Sequence, residues 1–97
     1  MKFTRKLNGK NLVIAVEGKL DTLTAPSLSE ELDKGLDGVE SLLWDFSRLD
    51  YISSAGIRVL LYASSLLSNP DNMKVSGACE MVKTALVLTG LDSWLED

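Results

Sequence analysis

The sequence predicts an α/β fold: a mixed β-sheet with an N-terminal β-hairpin and three main helices, in the order β-β-α-β-α-β-α. Three observations point there. Short β-prone runs alternate with stretches whose apolar residues recur at helical spacing, which implies parallel strands joined by helical crossovers. An Asn-Gly pair between the first two runs marks a hairpin, the one antiparallel departure. A length of 97 residues allows one domain, spanning 1–97, and a domain of that size buries about 65% of its unfolded surface.

Each element has its own local reason. Lys2–Leu7 and Asn11–Glu17 flank Asn8-Gly9, where both turn residues tolerate positive φ, and Gly18 is expected to end the second strand. Thr24 is the expected N-cap of the first helix, with Pro26 in the first turn, where a missing N–H costs nothing. Leu28, Leu32, Leu36 and Val39 follow at near-helical spacing, and Gly38 is the expected terminator. Leu42–Phe46 is a short apolar run, expected as a buried strand.

The second helix, Ile57–Leu67, is apolar on almost every face, so it is either deeply buried or offers one face to a partner. Val59, Tyr62 and Leu66 lie together at three- and four-residue spacing and are the expected partner-facing set. Asn69–Asn72 is a turn and Met73–Val75 a strand. Glu80–Thr89 is a helix with Met81, Val82, Ala85, Leu86 and Leu88 inward, ended by Gly90. Leu91–Asp97 is too short for another full element. The expected core comprises Leu28, Leu32, Trp44, Phe46, Leu60, Met73, Val75, Val82 and Leu86, while Cys79 reads as a small apolar residue.

Composition removes several function classes. Apolar residues are 45% and charged residues 25%, close to the globular average, so disorder is not the default. The absence of His removes Ser-His-Asp and Cys-His catalysis and His-ligated metal sites. A single Cys forbids an intrachain disulfide. No apolar run approaches the ~20 residues that span a bilayer, and MKFTRKLNGK has no apolar signal-peptide core. The net charge of −4 divides into +4 over residues 1–20 and −8 over the remainder. An acidic body disfavours nucleic acid. The basic end is either a phosphate or lipid contact or, as expected here, a solvated edge hairpin whose Lys residues discourage strand aggregation.

Two constellations stand out. Ser53-Ser54-Ala55-Gly56 joins a strand-like segment to a helix. A serine there caps the first turn, or serves as a regulated hydroxyl whose phosphate the helix N-terminus favours. If Ser54 caps, removing its hydroxyl costs about 0.5–2 kcal/mol. Gly56 removes a side chain, which lets another backbone approach. Asp21 either complements the start of the first helix or lies beside the serine loop at the same end of the sheet. Asp45 is expected to cap or pair at its strand end, because the acid pair of a phospho-aspartate site is absent after the first strand. No Gly-rich phosphate loop or nucleophile elbow occurs. The expectation is a non-enzyme with no catalytic residues, no metal and no cofactor.

Gly18-Lys19-Leu20-Asp21, Ala25-Pro26, Asp45-Phe46-Ser47 and Asp50-Tyr51-Ile52-Ser53-Ser54-Ala55-Gly56-Ile57 together resemble the STAS domain. That domain is shared by bacterial anti-sigma factor antagonists and the tails of sulfate transporters. The likeness runs from the opening hairpin to Thr89-Gly90-Leu91. It implies that the family's closing helix is missing or vestigial here. A free-standing chain of this length resembles the antagonist class, whose partner is a serine kinase that is itself the anti-sigma factor. Aligned on the glycine, the family's D-S-S-G falls on Ser53-Ser54-Ala55-Gly56, so the phosphoacceptor maps to Ser54, with Ser53 as fallback. The departure from the family pattern removes an acid beside the acceptor. Asp21, Ser53, Ser54, Ala55, Gly56, Ile57, Val59, Tyr62 and Leu66 are the expected partner interface. The resemblance implies partner switching by a cytoplasmic monomer or weak homodimer that neither inserts in a membrane nor binds nucleic acid. The rival expectation is a STAS subunit that docks on a membrane transporter or lipid-trafficking complex and is never phosphorylated.

Overall fold

The structure, a computed structural model, describes residues 1–96. The strands are β1 (Lys2–Asn8), β2 (Asn11–Leu20), β3 (Ser41–Ile52) and β4 (Met73–Ser76); the helices are α1 (Ala25–Asp33), α2 (Ser54–Leu66) and α3 (Glu80–Leu88). The sheet order is β1-β2-β3-β4, with β1 antiparallel to β2 and the remaining pairs parallel. The expected element order and the mixed sheet are both present.

The hairpin differs from its expected form by one residue. Asn8 pairs with Asn11, so Gly9 and Lys10 are the two turn residues. Gly9 has φ +62° and Lys10 is not in the positive region, which makes the turn type II′, where glycine is needed only at the first position.

β2 and β3 run further than their apolar runs suggest. Gly18 lies within β2 rather than ending it, and β3 continues six residues past Phe46 to Ile52. The reason is a pair of register shifts, between Ala15 and Glu17 and between Gly18 and Lys19, where β3 carries an extra residue each time. Each bulge puts two successive β3 residues outward, Ser47-Arg48 and then Asp50-Tyr51, so the alternation that marks a strand is interrupted.

The buried side chains form one cluster between the helices and one face of the sheet. All nine expected core residues are 0% exposed. Trp44 and Phe46, two apart on one face of β3, bring their rings to 5.8 Å between centroids. The other face of the sheet, with Val13, Ala15, Leu43 and Asp45, is only half-covered.

Several local expectations are corrected. α1 ends at Asp33, before Gly35 rather than at Gly38; both glycines are in the left-handed region of the loop that follows, and Leu36 and Val39 are buried from that loop. Met81 and Leu88 of α3 point outward, at 40% and 81% exposed, because only Val82 and Leu86 face the sheet squarely. Cys79 is exposed at the N-cap position of α3 rather than packed as an apolar residue. The C-terminal segment forms no full element, as expected. A single 3₁₀ turn over Asp92–Trp94 buries Trp94, and Leu95 makes one parallel bridge to Val75. Among the described residues no helix is long and apolar enough to cross a membrane.

Candidate functional site

Parallel pairing of β2 with β3 brings two loops to one end of the sheet. Leu20 is in register with Ile52, so Asp21 and Ser53 leave their strands side by side. The Ser53 N–H donates to the Leu20 carbonyl at 2.9 Å and ties the loops together. Gly56, one turn further on, packs against the same place. A Cβ on it would lie 2.6 Å from Ile52 Cγ1 and 2.9 Å from the Leu20 carbonyl oxygen, so the first turn of α2 approaches β2 only without a side chain there. The expectation that Gly56 admits another backbone is met by Leu20.

Asp21 organises the first loop. Its Oδ1 accepts from the backbone N–H groups of Leu23 (3.0 Å) and Thr24 (3.1 Å), while the Asp21 N–H donates to Thr24 Oγ1 at 2.9 Å. Thr24 occupies the N-cap position of α1 but makes no side-chain cap bond; its hydroxyl lies 2.8 Å from the Lys19 carbonyl oxygen. The side-chain cap expected of Thr24 is therefore not made; Thr24 and Asp21 instead bond each other reciprocally in the turn just before the helix. The Thr24 backbone N–H, helped by its hydroxyl and the Leu23 N–H, holds the Asp21 carboxyl below the usual carboxylate range.

The second loop presents the serines differently from each other. Ser53 is the extended N-cap residue of α2, and its backbone carbonyl accepts from the Ile57 N–H at 3.0 Å. Its Oγ is buried and makes no hydrogen bond. Ser54 is the first helical residue and is exposed. The first turn of α2 carries no acidic residue and no side-chain cap, so its leading N–H groups are open to an anion on Ser54.

Beside Ser54 an open groove of roughly 390 Å³ runs between α1 and α2, with Ala25, Pro26, Ala55 and Val59 as its apolar part and Glu30 and Asp33 at its rim. Tyr62 donates its hydroxyl to Asp33 Oδ1 and so links α2 to α1, which raises the Tyr62 pKa above its ordinary value.

The structure separates the expected interface into two groups. Asp21, Ser53, Ser54, Ala55, Tyr62 and Leu66 reach the surface; Gly56, Ile57 and Val59 are buried, the last two at 7% and 6% exposed. Val59, Tyr62 and Leu66 thus do not form one exposed stripe, because Val59 faces α1 and reaches the surface only through the groove. Leu61, at 45% exposed, is the outward apolar residue of α2. Sequence reasoning missed the α1 side of the groove. The only signal was the polar flank of α1 carrying Ser29, Glu30 and Asp33, which resembles any solvated helix face.

Asp45 lies elsewhere, within β3, where Oδ1 accepts from the Ser47 hydroxyl at 2.7 Å and the Ser47 N–H at 3.1 Å. These bonds hold its pKa below the ordinary value, the hydroxyl bond being the stronger influence. It shapes the first bulge and does not join the serine loop. Among the described residues no cluster of three or more acidic or Cys side chains could hold a metal.

The chain is 39% identical over 69 residues to BtrV of Bordetella bronchiseptica, whose name gives it as a proposed anti-sigma factor antagonist; the match covers 69% of this chain and 59% of the relative's length. The structure resembles the unphosphorylated anti-sigma factor antagonist SpoIIAA with a TM-score of 0.87, at 19% identity over 99% of this chain and 87% of the other. Bacillus SpoIIAA in its phosphorylated form gives 0.79 at 19% identity, covering 99% and 90%. A sulfate transporter family protein from Wolinella succinogenes gives 0.69 at 15% identity, covering 93% and 79%. At these identities the structures show the shared fold. The STAS domain pattern itself matches residues 2–96, nearly the whole chain, and the chain belongs to the STAS domain family.

Proposed function

We propose that this chain is an anti-sigma factor antagonist that works by partner switching with a serine kinase that is also the anti-sigma factor, and that Ser54 is the phosphorylated residue. The observation that carries the reading is the placement of Ser54: exposed, at the open N-terminus of α2, beside the Asp21 loop and the α1–α2 groove. Ser53 has its hydroxyl buried in the same loop and is the poorer acceptor.

The chemistry follows from that placement. The Ser54 oxygen attacks the γ-phosphorus of ATP held by the kinase, its proton leaves to a base on the kinase, and ADP departs. The new phosphate gains from the free N–H groups and the positive end of the helix, so the fold tolerates it. The same dianion stands beside Asp21 and the acid-rimmed groove, where it changes the surface a partner meets. The unphosphorylated form is the one that binds. The identity to BtrV and the fold shared with SpoIIAA in two phosphorylation states support this reading.

The test is a reaction of the purified protein with ATP and candidate anti-sigma kinases of the source cell, read by mass spectrometry. Phosphate on Ser54 is the expected result. Phosphate on Ser53 alone would move the site, and phosphate on neither serine with every cognate kinase would favour a subunit that docks without phosphorylation.

A further inference from the structure

The two edges of the sheet are treated differently. β4 is four residues long, and the C-terminal segment covers it: Leu95 bridges Val75, the Glu96 N–H donates to the Val75 carbonyl at 3.0 Å, and Lys74 Nζ donates to the Ser93 carbonyl at 3.3 Å. β1 is seven residues long and, among the described residues, pairs with β2 alone. Every β1 residue except Phe3 is exposed.

The hairpin decides which backbone groups that edge offers. A two-residue turn makes Asn8 and Asn11 a doubly bonded pair, and the regular antiparallel register repeats this at Lys6–Val13, Thr4–Ala15 and Lys2–Glu17. Phe3, Arg5 and Leu7 therefore turn their N–H and C=O groups away from the sheet. The charge on the strand is one-signed. β1 carries Lys2, Arg5 and Lys6 and no acid. Arg5 pairs with Glu31 of α1 at 3.5 Å, whereas Lys2 and Lys6 enter no ion pair among the described residues.

A second copy is a poor occupant of this edge. Two-fold antiparallel pairing of β1 with itself would set one group of three cations against another, and like charges across a strand pair are destabilising. An extended acidic segment meets the opposite situation, because its backbone finds three outward donors and acceptors and its carboxylates find Lys2 and Lys6. We propose that the β1 edge takes up an acidic, extended segment of a partner protein as an added strand. The inference does not depend on Ser54, which lies with the other loops after the parallel strands.

The experiment is a ¹H–¹⁵N NMR titration of the full chain, with amide hydrogen exchange. The probes are a capped peptide alternating Val or Thr with Glu, its counterpart with Lys for Glu, inorganic phosphate, and phosphatidylcholine–phosphatidylserine vesicles. The acidic peptide is expected to protect the Phe3, Arg5 and Leu7 amides and leave the already bonded Thr4 and Lys6 amides unchanged. Lys2→Glu with Lys6→Glu is expected to weaken that binding about tenfold through two reversed cross-strand pairs. Leu7→Pro removes an outward N–H without touching the β1–β2 ladder, so it is expected to abolish binding with the spectrum of the rest of the domain retained. The proposal is overturned by absence of protection at those three amides, by equal binding of the Lys peptide, or by a β1 response to vesicles or phosphate in preference to the peptide.

Discussion

Ser54 begins α2 without capping it; the N-cap position belongs to Ser53, and neither side chain bonds the first turn. The stability cost expected if Ser54 were the cap is therefore reduced. Ser54→Ala is expected to change unfolding free energy by no more than about 0.5 kcal/mol, as for an exposed residue without a partner, and to hold the protein in its partner-binding form. Ser54→Asp is expected to weaken binding, partially, since aspartate carries less charge than phosphate. Urea titrations and kinase pull-downs of the two variants check both statements. Gly56 behaves oppositely. A methyl group there collides with Ile52 and with the Leu20 carbonyl, which cannot both retreat. Gly56→Ala should cost about 1–3 kcal/mol by overpacking and should loosen the contact between the Asp21 and Ser53 loops. Thermal melts read the first effect. Loss of hydrogen-exchange protection at the Ser53 amide reads the second, and unchanged protection there would show that the loops are held by something else.

At the scale of the element, α2 has two duties that the sequence shows as one apolar cylinder. Its inner side, with Ile57, Leu60 and Ala63, is buried in the core. Its flank meets α1 across the groove through Val59 and Tyr62. Leu60 is 0% exposed at the centre of the inner side, so Leu60→Ala should destabilise by about 2–5 kcal/mol, the range for a buried leucine whose site cannot collapse. A urea midpoint unchanged from the wild type would contradict this packing. The helix types and their inner residues were legible because apolar spacing at 3.6 residues survives any tertiary arrangement. The full lengths of β2 and β3 were not, because two bulges shift the pleat and place polar residues where a regular strand would alternate. The end of α1 was also misjudged. Leu36 and Val39 keep the apolar spacing of the helix yet are buried from a loop, and burial alone does not reveal backbone conformation.

The whole molecule should respond to pH through a few carboxylates held by local bonds. The Thr24 backbone N–H lowers the pKa of Asp21, the Lys34 ammonium that of Glu31, and the Ser47 hydroxyl that of Asp45. A carboxyl with a depressed folded-state pKa contributes stability above its unfolded value and loses it as pH falls through the folded one. Tyr62 is the reverse case, since its bond to Asp33 raises its pKa; its contribution is present below the unfolded value and is lost as pH rises through the folded one. Urea midpoints should therefore be flat near neutral pH, fall on acidification below the ordinary carboxylate range, and fall again in strong alkali. Asp21→Asn combined with Asp45→Asn should flatten the acid limb, and Tyr62→Phe the alkaline one. An acid limb of the same steepness in the double variant would assign it to other groups.

Composition and spacing by themselves determined the α/β class, the element order and the core, because hydrophobic periodicity and turn chemistry are local properties. The absence of His and of any phosphate loop likewise removed whole classes of chemistry without a structure. Motif resemblance placed Ser54 and Asp21 at the candidate site. Only the tertiary structure decided how the two loops meet, since their contact rests on the Leu20–Ile52 register and on the space left by Gly56. It alone distinguished an exposed Ser54 from a Ser53 whose hydroxyl is buried, although the two are adjacent and chemically identical. It also put Val59 inside and left β1 as the open edge. Exposure is a property of what packs nearby in space, and the strands and helices that cover these residues come from distant parts of the chain.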